Sequence, residues 1–539
     1  MVIKEKYNIL NQWVIIIQFL VFLSVPVLIR TAEAGNILSL IIPAVLNGAA
    51  HGSPGPDLPP ADGDHTDIKV WKGTATCLQC HKTEGVEVFN SVHYQWLGDT
   101  PYMTDGPARQ GKIDVGVNSY CINTTGNWNG CGTCHAGLGA RPETTLSTRQ
   151  LENIDCLVCH QDKYKRKKVN GVFVPDTAKM TISMVEAART VHLPTRISCL
   201  QCHAKGGGGD NFKRGDMALA HGTTADKNFD VHMATTGENL KCQDCHITQK
   251  HRMAGKGSDL RPTDLDLEMS CTQCHKDKAT VNGHDDKDVG RHVARVACQT
   301  CHIATYARDA ADTAASEKTE IHRDWLQPHV TATGAIHPTP TMAGNLVPKY
   351  KWWNGLSTNY LLFDKIVVDP VTGRIPTSRP RGAVDDQNAK LYPFKYKTAL
   401  QPLATNRDEL IALDTSVYFG SGDASGATVK GLENMGYNAA EPYEWIETDT
   451  YQLISHEVSP ASRALDCSSC HNSSQRMDLQ GELGYQLKGP QAQVCTQCHE
   501  KEDSKGFEWI HKKHVKDKKY DCSLCHTFSR PERHLKMSE

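Results

Sequence analysis

The pentapeptide Cys-x-x-Cys-His occurs ten times in this chain, and no other feature constrains the fold as strongly. The copies are Cys77, Cys80, His81; Cys131, Cys134, His135; Cys156, Cys159, His160; Cys199, Cys202, His203; Cys242, Cys245, His246; Cys271, Cys274, His275; Cys298, Cys301, His302; Cys467, Cys470, His471; Cys495, Cys498, His499; and Cys522, Cys525, His526. They use 20 of the 21 cysteines and leave only Cys121. A disulfide framework explains an even number of cysteines but not a histidine after every pair. Zinc sites use Cys-x-x-Cys, but their other ligands normally lie farther along the chain. A redox Cys-x-x-Cys occurs once in a domain. Histidine makes up 26 of 539 residues, so ten successes in ten are not chance. The signature that fits every copy is that of covalently attached c-type haem.

The spacing has a chemical reason. Two thiols add across the porphyrin vinyl groups, and two intervening residues let both sulfurs reach one edge of the macrocycle. The histidine that follows turns its imidazole to the iron as proximal ligand. Ten such sockets predict ten haems c.

That density sets the fold class. Apolar residues are 39% of the chain and aromatics 7%, which is low for this length. Porphyrin plates replace the missing core. The expectation is a mostly α protein with extensive coil, its core built from haems, with short helices and few strands. The formal charge of −2 gives no basic excess for nucleic acid.

The N-terminus has Lys4 and Lys6 before an apolar run from Trp13 to Ile29, then Ala32-Glu33-Ala34. This reads as a secretory signal peptide over 1–34, with cleavage after Ala50 or retention as an anchor as the alternatives. Residues 51–66 are rich in Pro, Gly and Asp and read as a linker. A seven-haem domain over 67–302, a haem-free lobe over 303–460 and a three-haem module over 461–539 follow. In the lobe, KIVVDPVTGRIPTSRP reads as a small hairpin or a surface loop. Export to the periplasm or the cell exterior fits the motifs, since thioether haem is assembled outside the cytoplasm.

Electron-transfer haems usually carry a second axial ligand. Sixteen histidines lie outside the sockets. His93 shares a helical face with Phe89, Val92 and Trp96, and His192 with Val185 and Ala188. His511 and His514 share a face and could serve two haems. His232, His251, His292 and His456 lie close to sockets, and His221 and His284 are further candidates. His322, His329 and His337 in the gap, and His51 and His65 in the linker, read as ordinary histidines.

The runs NSYCINTTGNWNGCGTCHAGLG, IDCLVCHQDKYK, AKGGGGDNFKRGD, DVHM and CQDCH resemble the octahaem tetrathionate reductase family of c-type cytochromes. ARVACQTCHIATYAR, VPKYKWWNG and ALDCSSCHNSS extend the likeness over roughly residues 70–475, which hold eight sockets. The last two sockets depart from it as an addition through which electrons could enter or leave. The resemblance implies one lysine-ligated haem, here that of Cys131, Cys134 and His135. It also implies a pocket of Asn118 with Cys121 and Asp162 with Lys165. Read without the resemblance, Cys121 is a structural thiol unless a nearby cation activates it. Lys165 lies in DKYKRKK, a solvated basic loop by composition. A lysine binds iron only as the neutral amine, which burial and metal charge favour.

Two functions follow. One is a multihaem oxidoreductase that reduces tetrathionate, nitrite or hydroxylamine at one lysine-ligated or open haem. The other is a conduit whose haems are all bis-ligated. Metal storage or a structural role is a third class. The partners expected are redox proteins, quinol-linked or other cytochromes, and a small oxyanion. Membrane contact is expected only through an uncleaved N-terminal segment.

Overall fold

The computed structural model describes residues 64–117, 123–260, 262–314, 317–471, 475–501 and 505–537. The signal segment, most of the linker, Asn118 and Cys121 lie outside the described residues. Among the described residues no helix is long and apolar enough to cross a membrane.

Around the sockets the helices are short, as expected. Leu157–His160, Cys242–Cys245 and Ser468–His471 have four residues each, and Arg196–His203 has eight. Helices this short are unstable alone in water, so packing must hold them. Each motif makes about one helical turn. Cysteines three apart then share a face, and the histidine closes the turn. His81 N–H donates to Cys77 O at 2.9 Å, His246 to Cys242 O at 2.8 Å and His526 to Cys522 O at 2.8 Å.

The expectation of few strands needs correction. Residues 319–453 carry a mixed sheet of eight strands. Its order is Ser357–Asn359, Ile375–Pro380, Tyr443–Leu453, Lys390–Ala404, Thr319–Val330, Ile336–Ala343. Lys349–Trp353 and Glu409–Leu410 also pair with Lys390–Ala404. The spine is the antiparallel register from Phe394 opposite Leu453 to Ala404 opposite Tyr443. Two pairings are parallel, Ile375–Pro380 with Tyr443–Leu453 and Lys390–Ala404 with Thr319–Val330. Of the suggested hairpin, the turn forms, with Gly373 N–H donating to Asp369 O at 2.8 Å, but only the outgoing arm is a strand. That arm pairs with remote segments instead.

The main core lies between this sheet and two helices, Thr415–Ser421 and Ala424–Asn434. Trp325, Tyr360, Ile375, Leu410, Tyr418 and Leu432 fill it. Gly431 permits the close helix approach, because a Cβ there would meet Ala412 O at 2.4 Å. The sheet also buries charge. Lys397 lies 3.0 Å from Glu320, and Arg323 binds the same carboxylate at 2.6 Å. Such a cluster is costly to break because one partner's loss strands the others.

A second cluster ties the C-terminal module to the sheet. Tyr350, Trp352 and Leu391 pack with Met477, Leu483 and Phe528. Trp352 Nε1 donates to Leu483 O at 2.9 Å.

Candidate functional site

All twenty socket cysteines are free of disulfides. Eight socket histidines face a second histidine ring. The centroid separations are 5.9 Å for His81 with His65, 6.1 Å for His203 with His93, and 6.3 Å for His160 with His251. They are 6.3 Å for His246 with His456, 6.1 Å for His275 with His232, and 6.0 Å for His471 with His292. They are 5.8 Å for His499 with His514 and 6.1 Å for His526 with His511. His302 is held below its ordinary pKa by burial and then by the charges of His284, His275 and His232. The Nδ1 of His284 is buried without a hydrogen-bond partner.

These pairs fit haem iron. A metal–imidazole bond is about 2 Å, and the ring centroid lies roughly 1 Å beyond. Two imidazoles on opposite sides of one iron therefore stand about 6 Å apart. Zinc would need three or four converging ligands, and among the described residues no such cluster of His, Cys, Asp and Glu occurs. Burial pushes His203 down to about 3 and also lowers His93. Both are thus neutral, the form that binds metal.

Several of these histidines are oriented through their other nitrogen, as ligand imidazoles usually are. His514 Nδ1 pairs with Ile510 O at 2.9 Å, His511 Nδ1 with Phe507 O at 2.8 Å, and His251 Nδ1 with Glu87 at 2.9 Å. His511 and His514, three residues apart, thus face two different sockets.

His135 is different. It is 1% exposed, and among the described residues no second histidine faces it. Tyr94, Trp96 and Trp128 surround its ring at 5.1, 5.4 and 5.2 Å. Tyr94 is fixed by Gln150 Oε1 at 2.6 Å and Asn153 Nδ2 at 2.9 Å, and Trp128 by Gly139 O at 2.7 Å. The turn is also tighter here. His135 N–H donates three residues back, to Gly132 O at 3.2 Å. Burial holds the imidazole down at about 4.

Cations ring this cage. Lys112 Nζ stands 5.5 Å from the Trp96 ring, and the Arg141 guanidinium 5.4 Å from Trp128. Arg166 donates to Thr133 O at 2.8 Å, His135 O at 3.2 Å and Asp155 at 2.8 Å. Lys168 donates to Asn129 O at 2.7 Å. Burial pushes Arg141 and Lys168 below their ordinary values.

The segment expected to be a solvated loop is partly a hairpin. Arg166–Val169 pairs with Val172–Pro175 across Asn170-Gly171, both at positive φ. This is the turn chemistry of a two-residue hairpin. Side chains alternate along a strand, so Arg166 and Lys168 face inward over Phe173 at 4.4 and 5.3 Å. Lys165, just before the strand, is exposed and donates to Asp162 O at 2.9 Å. The structure does not bring it to His135. Asp162 instead accepts from Thr195 Oγ1 at 2.8 Å.

Two distal assignments also change. His192 lies beside Asp162, and its carbonyl receives His160 Nδ1 at 2.9 Å. Its ring lies by Asp162, and the ring that faces His160 is that of His251. His221 is wholly buried against Phe229 at 4.5 Å and Asp230 at 3.7 Å. The candidates His251 and His456 lie opposite His160 and His246, and His65, which reads in the sequence as an ordinary linker histidine, lies opposite His81.

The sockets adjoin one another. The socket sulfurs stand in for thioethers here. Cys77 touches Cys156, Cys134 touches Cys202, Cys199 touches Cys242, and Cys271 touches Cys298. Cys159 lies near Cys199, Cys245 near Cys274, Cys301 near Cys470, and Cys525 near Cys495. Phe507 bridges His471 at 5.1 Å and His511 at 4.0 Å. The ten sockets thus form one unbroken succession, with His135 on a branch beside Cys202.

Three family models match parts of the chain: Cytochrome c554 and c-prime over residues 76–161, Cytochrome c bacterial over 334–474, and the Doubled CXXCH motif over 459–504. An uncharacterised protein of Archaeoglobus fulgidus is 29% identical over 238 residues, 36% of this chain and 78% of that protein. The crystal structure of octahaem cytochrome c from Shewanella oneidensis superposes with a TM-score of 0.66 at 28% identity, covering 80% of this chain and 98% of that one. The octahaem likeness expected from the sequence is borne out. The chain is a multihaem c-type cytochrome suited to electron transfer, similar over most of its length to octahaem cytochrome c and carrying two further attachment motifs at its C-terminus.

Proposed function

We propose that the chain is an exported decahaem oxidoreductase that reduces a small oxidised sulfur or nitrogen species at the His135 socket. The carrying observation is the asymmetry among socket histidines. Eight face a second histidine ring and His302 lies near His284, while His135 sits in an aromatic cage ringed by cations. Bound haem supplies the one-electron exchange.

The chain's own residues supply the rest. The paired histidines would hold the irons of their haems from both sides and leave no position for substrate there. Trp96, Trp128 and Tyr94 keep water from the His135 ring. Lys112, Arg141 and Lys168 draw an anion and hold it in partly desolvated surroundings, where charge acts more strongly. Tetrathionate takes two electrons and splits into two thiosulfates. Nitrite takes six electrons and eight protons to give ammonium and two waters. Hydroxylamine takes two electrons and three protons to give ammonium and water. A succession of adjoining sockets suits such multi-electron demand.

The test is the visible and electron-spin spectrum of the oxidised protein before and after nitrite or cyanide. One iron in ten should respond. If none does, the protein is a conduit. Lys165→Ala tests the lysine ligand that the resemblance implies. A shift in one haem's spectrum assigns it, and an unchanged spectrum leaves that iron to substrate.

A further inference from the structure

The formal charge is unevenly spread. From Lys505 to Lys536 the sequence carries nine lysines and arginines against four carboxylates, a net of +5 in a chain whose total is −2. The remainder therefore carries −7. The positive charge is concentrated at Lys512, Lys513, Lys516, Lys518 and Lys519, all exposed.

This basic segment is also an iron-ligand segment. Lys512–Asp517 is a π-helical turn that follows the helix Phe507–His511. His511 and His514 alternate with the lysines and face His526 and His499. Phe507, 50% exposed, lies among these groups and touches both His471 and His511. Lys513 pairs with Asp517 and Lys516 lies near Asp288, which leaves Lys512, Lys518 and Lys519, among the described residues, as the free positive groups of an exposed lysine-rich turn, the composition of an association surface. The module is tied to the sheet through Trp352, so its position is fixed. It ends the socket succession, several sockets beyond the branch that carries His135.

We propose that this face docks an acidic one-electron carrier protein, with Lys512, Lys518 and Lys519 as recognition groups and the last two sockets as the electron port. The proposal rests on the electron-relay reading of the sockets, and not on catalysis at His135. Charge complementarity raises the encounter rate, and salt screens it.

The experiment mixes the full haem-loaded protein with reduced plant-type ferredoxin, an acidic carrier, in a stopped-flow instrument at low and high salt. The variant Lys512→Gln/Lys518→Gln/Lys519→Gln should be reduced at least tenfold more slowly at low salt, with a flatter salt dependence. At high salt, where charge is screened, methyl viologen radical should reduce variant and parent at equal rates, which shows that the sockets are intact. Equal ferredoxin rates for both proteins overturn the proposal. So does a ferredoxin rate unaffected by salt alongside binding of the parent, but not the variant, to phosphatidylglycerol vesicles, which assigns the patch to a membrane. Nitrite or cyanide binding at His135 is read separately, so failure of one proposal leaves the other standing.

Discussion

The Asp216 carboxylate lies 3.1 Å from Nδ1 of His456 and is wholly buried. Burial alone would lower the His456 pKa, but Asp216 more than offsets it and the net shift is upward. Asp216 also accepts from the backbone N–H of Ser455 at 2.8 Å and lies 3.6 Å from Arg214. Its geometry is therefore fixed. A carboxylate on the far nitrogen makes an imidazole a more basic ligand and favours oxidised iron. Asp216→Asn should raise the potential of the haem at Cys242 and Cys245. A tenfold change in relative affinity for the two oxidation states corresponds to about 59 mV, so a shift of that order is expected in a spectropotentiometric titration. A titration curve superimposable on the parent's would refute the role.

His65 and His192 make a paired prediction. His65 faces His81 at 5.9 Å, while His192 presents its carbonyl to His160. His65→Ala should convert about one haem from low spin to high spin in the electron-spin spectrum. His192→Ala should leave the spin state of every haem as in the parent. The opposite result would exchange their assignments.

The sockets were fully legible, because Cys-x-x-Cys-His is a local code and its one-turn geometry is set by spacing alone. His511 and His514 were legible from helical phase. His65 was not, since nothing periodic surrounds it and its partner is sixteen residues away in a different element. The sheet was not legible either. Its central strand, KLYPFKYKTALQPLA, buries Lys395 and Lys397, which removes the polar–apolar alternation that marks a half-buried strand. Groups remote in sequence make that burial tolerable: Glu320 pairs with Lys397, and Lys395 donates to Phe212 O at 2.8 Å and Lys213 O at 2.9 Å. The hairpin at Asn170-Gly171 carried a strong local signal. The run of charge in DKYKRKK outweighed it, so the inward turn of Arg166 and Lys168 was missed.

Glu317 should govern part of the pH dependence of stability. It is 1% exposed, and neither carboxylate oxygen has a hydrogen-bond partner. Burial, then Asp210 and Asp309, push its pKa from 4.5 to about 7. The folded state therefore holds this proton more tightly than the unfolded state. Its contribution is complete below about pH 4.5 and is lost as pH rises through about 7. At about 1.4 kcal/mol per pH unit the loss is on the order of 3 kcal/mol. Glu317→Gln should flatten stability between pH 5 and 8 and raise the calorimetric melting temperature at pH 8 relative to the parent. An unchanged pH profile would mean that Glu317 does not titrate in this range.

Lys112 and Arg141 should act on substrate capture and not on the reducing step. Lys112 lies over Trp96 at 5.5 Å and Arg141 over Trp128 at 5.4 Å, two of the three rings that surround His135. Their charge adds to that of Arg166 and Lys168, which the hairpin turns toward the same socket. An anion approaching His135 thus meets several positive groups before any aromatic contact. Such a field raises association, and its effect fades with ionic strength because exposed charges are screened over about 10 Å at 0.1 M salt. Lys112→Gln/Arg141→Gln should therefore lower kcat/KM for nitrite by roughly ten-fold at low salt. It should leave kcat nearly unchanged and reduce the slope of rate against salt. Hydroxylamine, neutral at pH 7, is the control. Its kcat/KM should be the same in variant and parent, because steering needs a charge on the substrate. Equal losses for both substrates would show that the variant had disturbed the Trp96 and Trp128 cage, and would remove electrostatic capture from the account of this site.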